Sequence, residues 1–288
     1  MTGFRTDPRL RIRPAQPCRL PALAGLALAS VTAMATPPAD RVEEFALVSA
    51  ALGREMRAKV VRPLTAGERP VLVLLHGRGR HRNSLLELED AREALLTADL
   101  WVFLPDGEDG WYIDSPVDPE GRYAAYLDEF LAEIATRYPL AQDASSWTVA
   151  GWSMGGYGAV RFAQRHPERF GAVVPIIGLL DFPRAETLPA GRNYAVPIAR
   201  FGADEEVWKR FNPLHEIERL RGTAILVITA EDAFDRVMNE NFATALAAAG
   251  LPHQFVMLPG GHTLEVVRAA LPAVIALARA TAAHRTQP

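Results

Sequence analysis

One stretch constrains this chain more than any other: Thr148 to Pro167, TVAGWSMGGYGAVRFAQRHP, sets four glycines around a single serine between a short apolar run and a helix-like segment. Gly151-Trp152-Ser153-Met154-Gly155 fits G-x-S-x-G, and a strand before with a helix after is the context that gives this pattern meaning. A serine hydroxyl is a poor nucleophile. It must be held exposed beside a base and beside N–H donors, and a sharp strand-to-helix turn does this at a backbone strain that side chains at 151 and 155 would worsen. At the helix start, the free Met154 N–H and the positive end of the helix dipole face any oxygen that becomes negative when an acyl carbonyl is attacked.

The rest of the chain reads as strands and helices in alternation. Phe45 to Ala50 and Met56 to Val61 form an antiparallel start around Leu52-Gly53-Arg54, and Val71 to Leu75 has the unbroken apolar pattern of a strand buried on both faces. Leu85 to Leu96 is helical by spacing, and Leu100 to Leu104 is strand-like up to Pro105-Asp106-Gly107. Tyr123 to Tyr138 places its aromatic and aliphatic residues three and four apart, as in an amphipathic helix. Trp147 to Ala150, Ala172 to Ile177, Ala224 to Thr229 and Gln254 to Leu258 are further strands, with helices to about His166, over Asn239 to Ala249 and from Leu264 to about Ala282. Repeated strand-helix units predict an α/β fold, a mostly parallel central sheet flanked by helices on both faces, with chemistry at the carboxyl ends of the strands. The loops 106–122 and 179–213 follow such ends and are long enough to wall a pocket.

A second oxyanion donor is expected from the loop after an earlier strand. Val71 to Leu75 runs into His76-Gly77-Arg78-Gly79, so the Arg78 N–H is the candidate, with Gly77 giving the backbone room to approach. His76 ends a buried strand and reads as a structural histidine bonded within the turn. Of the seven histidines, only His262, in LPGGHTLE, sits in a loop directly after a late strand, where it can reach the serine as base. The orienting acid comes from AILVITAEDAFDRVMNE: Asp232 is the choice, then Asp235, then Glu231. The order Ser153, Asp232, His262 is that of α/β-hydrolases. Trp111, Tyr112 and Trp152 are candidate pocket walls, with local packing as the alternative.

Several of these stretches carry a resemblance. LLHGRG, GWYIDSP, GWSMGGYGAVRFAQRHPERF, NPLHEIERLRG, LVITAEDAFD and LPGGHTLE, spread over about residues 70–265, resemble the esterase family of α/β-hydrolases that contains esterase D, tributyrin esterases and the mycolyltransferases. The resemblance implies the α/β-hydrolase fold and cofactor-free hydrolysis of small carboxylic esters, with Ser153 as nucleophile, His262 as base and Asp232 as orienter. Two departures stand out. Thr229 and Ala230 occupy positions before the acid loop where members often have glycine, and the loop GRGRHR, 77–82, is unusually basic, which suits either an acidic or sugar-linked substrate or a plain solvated loop. An acyltransferase using the same triad with an alcohol or sugar acceptor, and a non-catalytic binding protein on the same scaffold, remain the alternatives.

Composition enters where it excludes partners. The chain has 288 residues, 49% of them hydrophobic, with no repeat or linker after residue 40, which fits one large domain over residues 36–288. The first 35 residues differ: five arginines, an apolar run from Leu20 to Ala33 and the small-x-small pattern Ala33-Met34-Ala35 read as a secretory signal cleaved after Ala35, hence a secreted or periplasmic protein. A disordered basic arm or a short membrane anchor is the alternative, the apolar run being shorter than the ~20 residues of a spanning helix. The single cysteine, Cys18, precedes that cut, so the mature chain has no thiol for a disulfide or a metal. Without residues 1–35 the count becomes 26 basic against 33 acidic side chains, formally −7, which argues against nucleic acid as partner. No HExxH or Cys/His cluster calls for a metal or cofactor.

Overall fold

The computed structural model describes residues 41–188 and 193–283. The basic start and apolar run assigned to a signal lie outside the described residues. The hairpin expected near the start is present as β1 (Val42–Ser49) and β2 (Arg54–Val61), paired antiparallel with Phe45 opposite Ala58. Then come β3 (Val71–Leu75), α1 (Glu89–Leu96), β4 (Trp101–Pro105), α2 (Tyr123–Arg137), β5 (Trp147–Trp152), α3 (Met154–Arg165) and β6 (Ala172–Ile176). After a long excursion follow β7 (Ala224–Ala230), α6 (Arg236–Ala248), β8 (His253–Leu258) and α7 (Leu264–Ala283). The excursion, expected to be loop, contains two short helices, α4 (Ile198–Phe201) and α5 (Glu205–Phe211), and a run of 3₁₀ turns over Pro213–Leu220. Asp204 caps α5 and Asn212 the 3₁₀ run, each side chain accepting from the backbone N–H two residues on, a local signal that hydrophobic periodicity does not register.

The strands form one sheet in the order β1-β2-β4-β3-β5-β6-β7-β8. β2 runs antiparallel to β4, and every pair from β4 through β3, β5, β6 and β7 to β8 is parallel. β3 shows why its residues read as a continuous apolar run. Val71, Val73 and Leu75 point into one core with Tyr126, Phe130 and Val160, while Leu72 and Leu74 point into the other with Leu95, Val267 and Leu271. All five are buried, so both faces of the strand must be apolar. The helix expected from Leu85 begins only at Glu89; residues 81–88 are spent in turns. Among the described residues no helix is long and apolar enough to cross a membrane.

β3 and β5 lie side by side at the centre, Leu75 opposite Gly151, and the loops leaving their carboxyl ends carry His76 to Arg82 and Ser153. β7 and β8 end on the same edge and deliver Glu231 to Asp235 and Gly260 to His262. Parallel pairing thus brings segments far apart in sequence to one rim.

Candidate active site

Ser153 sits between β5 and α3 with φ 56° and ψ −119°, a left-handed conformation that serine adopts only where its surroundings impose it. The imposition is visible. A Cβ on Gly151 would lie 2.3 Å from the Gly155 carbonyl oxygen, and one on Gly155 would lie 2.1 Å from that of Leu75. Only hydrogen at both positions lets the helix start this close to β3, which lifts the serine above the sheet. The Ser153 N–H donates to the Ile176 carbonyl at 3.0 Å, fixing the turn to β6 as well.

His262 reaches the serine from the loop after β8. Its Nε2 lies 2.8 Å from Ser153 Oγ, and its Nδ1 lies 2.5 Å from Asp235 Oδ1. The carboxylate contact fixes the tautomer: Nδ1 carries the hydrogen and donates, which leaves Nε2 as an acceptor facing the hydroxyl. Phe234 packs against the imidazole with ring centres 4.4 Å apart, and Tyr194 stacks on Phe234 at 5.7 Å. The ring is held on one face by Phe234 and at both nitrogens by its hydrogen-bond partners.

Asp235 takes the place expected of Asp232. After β7 the chain turns back: the Asp232 N–H donates to the Gly260 carbonyl and the Ala233 N–H to that of Ala230, leaving the Asp232 side chain exposed. Asp235, fully buried, then stands just before α6, its carboxylate turned to the imidazole and making no cap bond to the helix. Its second oxygen, Oδ2, accepts from Asn239 Nδ2 at 2.8 Å and from the Thr229 hydroxyl at 3.4 Å. Asn239 also donates to the Gly178 carbonyl at 2.7 Å, tying the acid to the loop after β6. Thr229, which stood out as a departure in the sequence, is therefore a partner of the carboxylate. Asn239, Phe234 and Tyr194 were not singled out from the sequence; the four-residue spacing of Asp235 and Asn239 on a helix was the available signal for the first.

The turn after β3 lies directly against Ser153. A Cβ on Gly77 would fall 2.8 Å from Trp152 Nε1 and 3.2 Å from the Ser153 Cβ. The turn closes with Arg80 N–H donating to Gly77 O, and Gly79 takes φ 69° within it. Met154 opens α3, where a backbone N–H has no partner within the helix. His76 is buried and pins this turn to the next loop: Nε2 accepts from Gly107 N–H at 2.8 Å, so Nδ1 bears the hydrogen and donates to Gly77 O at 2.8 Å. Burial pushes its pKa below the usual histidine value, and the neutral form is the one these two bonds require.

Among the candidate pocket aromatics, only Trp152 borders the serine. It lines a hollow of about 160 Å³ together with Gly77, Arg78, Ser153, His262 and Leu264. Trp111 and Tyr112 are instead core residues. Tyr112 fills the space that a side chain on Gly107 or Gly158 would occupy and donates its hydroxyl to the His76 carbonyl. Trp111 stacks on Phe182 at 4.9 Å and meets Tyr157, Tyr194 and Phe201, so it packs within an aromatic cluster away from the hollow. Both residues adopt positive φ, 54° and 56°, which turns large rings inward from a loop whose sequence reads as a pocket wall.

A mostly parallel sheet with a strained serine on the turn after a central strand, and a histidine and a buried carboxylate arriving from the last two strand ends, is the arrangement of an α/β-hydrolase. Over residues 49–277 the chain matches the family described as "Putative esterase", and it belongs to that family. Esterase Rv1288 of Mycobacterium tuberculosis is 27% identical over 231 residues, which cover 68% of this chain and 49% of that protein. The chain thus spans about half the length of that relative. An S-formylglutathione hydrolase of Paracoccus denitrificans is 27% identical over 238 residues, covering 74% of this chain and 83% of that one. Among solved structures, a ferulic acid esterase shares the fold with a TM-score of 0.71 at 24% identity, over 83% of this chain and 98% of its own.

Proposed function

We propose that this chain is a serine esterase that hydrolyses carboxylic esters through an acyl-serine intermediate, with Ser153 as nucleophile, His262 as general base and acid, and Asp235 as the orienting carboxylate. The observation that carries the reading is the unbroken hydrogen-bonded line from Ser153 Oγ through the imidazole to a buried carboxylate, at 2.8 and 2.5 Å.

Attack of Oγ on the ester carbonyl carbon transfers the hydroxyl proton to His262 Nε2, and Asp235 stabilises the imidazolium that results. The carbonyl oxygen, now negative, is taken by the Met154 N–H with a second donor from the Gly77-Arg78 turn, where the α3 dipole adds to the stabilisation. Collapse breaks the bond to the alcohol oxygen, which leaves with the Nε2 proton. Water then repeats the sequence on the acyl-serine: His262 accepts its proton, the acid is released and Oγ recovers its hydrogen.

Membership of an esterase family supports the reaction class. Short p-nitrophenyl esters and a fluorophosphonate probe test the assignment together. The expected result is turnover and labelling by the unaltered chain and neither by a correctly folded Ser153→Ala variant; equal turnover in that variant refutes the nucleophile.

A further inference from the structure

We infer that the esters this site prefers carry a carboxylate, and that Arg80 is the residue that selects them. The inference rests on the esterase reading and adds a substrate class to it.

The basic loop 77–82 contains three arginines that differ in what they do. Arg78 is already engaged: its Nε and Nη2 grip both oxygens of Asp109 at 2.9 and 3.2 Å, and its Nη1 donates to the Tyr194 hydroxyl at 3.0 Å. Arg82 is engaged as well, its Nη1 on Asp106 Oδ2 at 2.6 Å and its Nε on Glu44 at 3.2 Å. Its backbone N–H also donates to Asp106. Arg80 stands between these two anchors. Among the described residues its guanidinium has neither a hydrogen bond nor an ion pair, yet it borders the same hollow as Ser153, His262 and Leu264.

Three features make this more than a solvated surface arginine. The loop backbone is tied on either side through Arg78 and Arg82, so the Arg80 side chain is tethered at the edge of the hollow. No carboxylate lines the hollow, so nothing within it competes for Arg80. Trp152, Ile177 and Leu264 give the hollow an apolar side beside Thr263, which can receive the body of an ester while Arg80 takes its charge. Arg80 presents planar, paired donors that fit a carboxylate, and the hollow, at about 160 Å³, is sized for a small acyl or alcohol group.

The test uses two matched pairs of esters. Monomethyl succinate against dimethyl succinate places the charge on the acyl side, and 3-acetoxybenzoate against 3-acetoxybenzamide places it on the leaving group. The readout is the ratio of kcat/KM for the charged over the neutral member, measured by pH-stat at low and at high salt. The expected ratio exceeds about tenfold on one pair, the size of a single charge-assisted contact, and shrinks with salt. It collapses in Arg80→Ala, returns in part in Arg80→Lys and inverts in Arg80→Glu. Turnover of neutral and charged members at equal kcat/KM, or a preference that survives in Arg80→Ala and Arg80→Glu, overturns the inference and leaves the esterase reading standing. Absence of turnover of all four esters, with Ser153 unlabelled by fluorophosphonate, overturns both.

Discussion

Asn239 holds Asp235 from one helical turn further along α6, its amide 2.8 Å from Oδ2 while His262 occupies Oδ1. Both residues are fully buried, and the same amide reaches Gly178 O. The carboxylate is thereby aimed before any substrate arrives. Removing its charge leaves the packing intact but offers His262 Nδ1 an amide that can donate as well as accept, which favours the wrong tautomer. Asp235→Asn should lower kcat/KM on p-nitrophenyl acetate by about three to four orders of magnitude. Asp232→Asn, altering an exposed side chain, should stay within about twofold. Loss of activity in the second variant rather than the first would reverse the assignment.

Asn239→Leu keeps the volume and removes the donor. The Asp235 carboxylate and the Gly178 carbonyl then lose a partner in a buried site, a cost of about 1–3 kcal/mol in unfolding free energy. Activity should also fall, by about ten- to a hundredfold and in kcat rather than KM, because the imidazole is less well aimed for the transition state. Urea melts alongside steady-state kinetics separate the two effects; a stability loss with unchanged kcat would make Asn239 purely structural.

How far the sequence carries can be judged from these same residues. The sheet and the serine turn are legible because they rest on local rules: a strand buried on both faces must be apolar throughout, and a helix packed this closely against β3 needs glycine in its first turn. His262 is legible by its place after the last strand. The acid is not, because adjacency to a strand end does not determine direction. The chain after β7 turns back on hydrogen bonds to Gly260 and Ala230, and that places residue 235 rather than residue 232 under the ring. Trp111 and Tyr112 mislead for a related reason. A loop rich in Pro, Gly and aromatics reads as a pocket wall, whereas two successive left-handed residues turn the rings into the core. Such backbone choices are settled by tertiary packing, not by composition.

Gly77 is where the turn after β3 meets Ser153. A methyl group there would press on the Trp152 indole at 2.8 and 2.9 Å, and the indole is itself buried in the core. The turn must move off the serine, since the indole has little room to yield. Gly77→Ala should lower kcat by about a hundredfold or more, the usual result of losing an oxyanion donor, with a stability loss of only about 1–3 kcal/mol. Circular dichroism and single-turnover kinetics check it; near-normal kcat would mean that the Gly77-Arg78 turn contributes no donor.

His76 supplies a pH dependence that is separate from catalysis. Burial lowers its pKa in the folded protein below the ordinary 6.5, while the unfolded chain keeps the ordinary value. Above about pH 6.5 the ring is neutral in both states and no stability is lost. As pH falls through that value the unfolded chain takes up a proton that the folded ring refuses, so stability declines with falling pH until the lowered native value is reached. The slope from this one group approaches about 1.4 kcal/mol per pH unit, in a window above the range where most carboxylates titrate. His76→Gln retains a neutral side chain with a donor and an acceptor but does not titrate. It should be less stable than the unaltered chain at pH 7.5, yet show a shallower decline between pH 6.5 and 5.5 in urea melts. Parallel declines for the two proteins would mean that protonation of His76 is not what weakens the fold in mild acid.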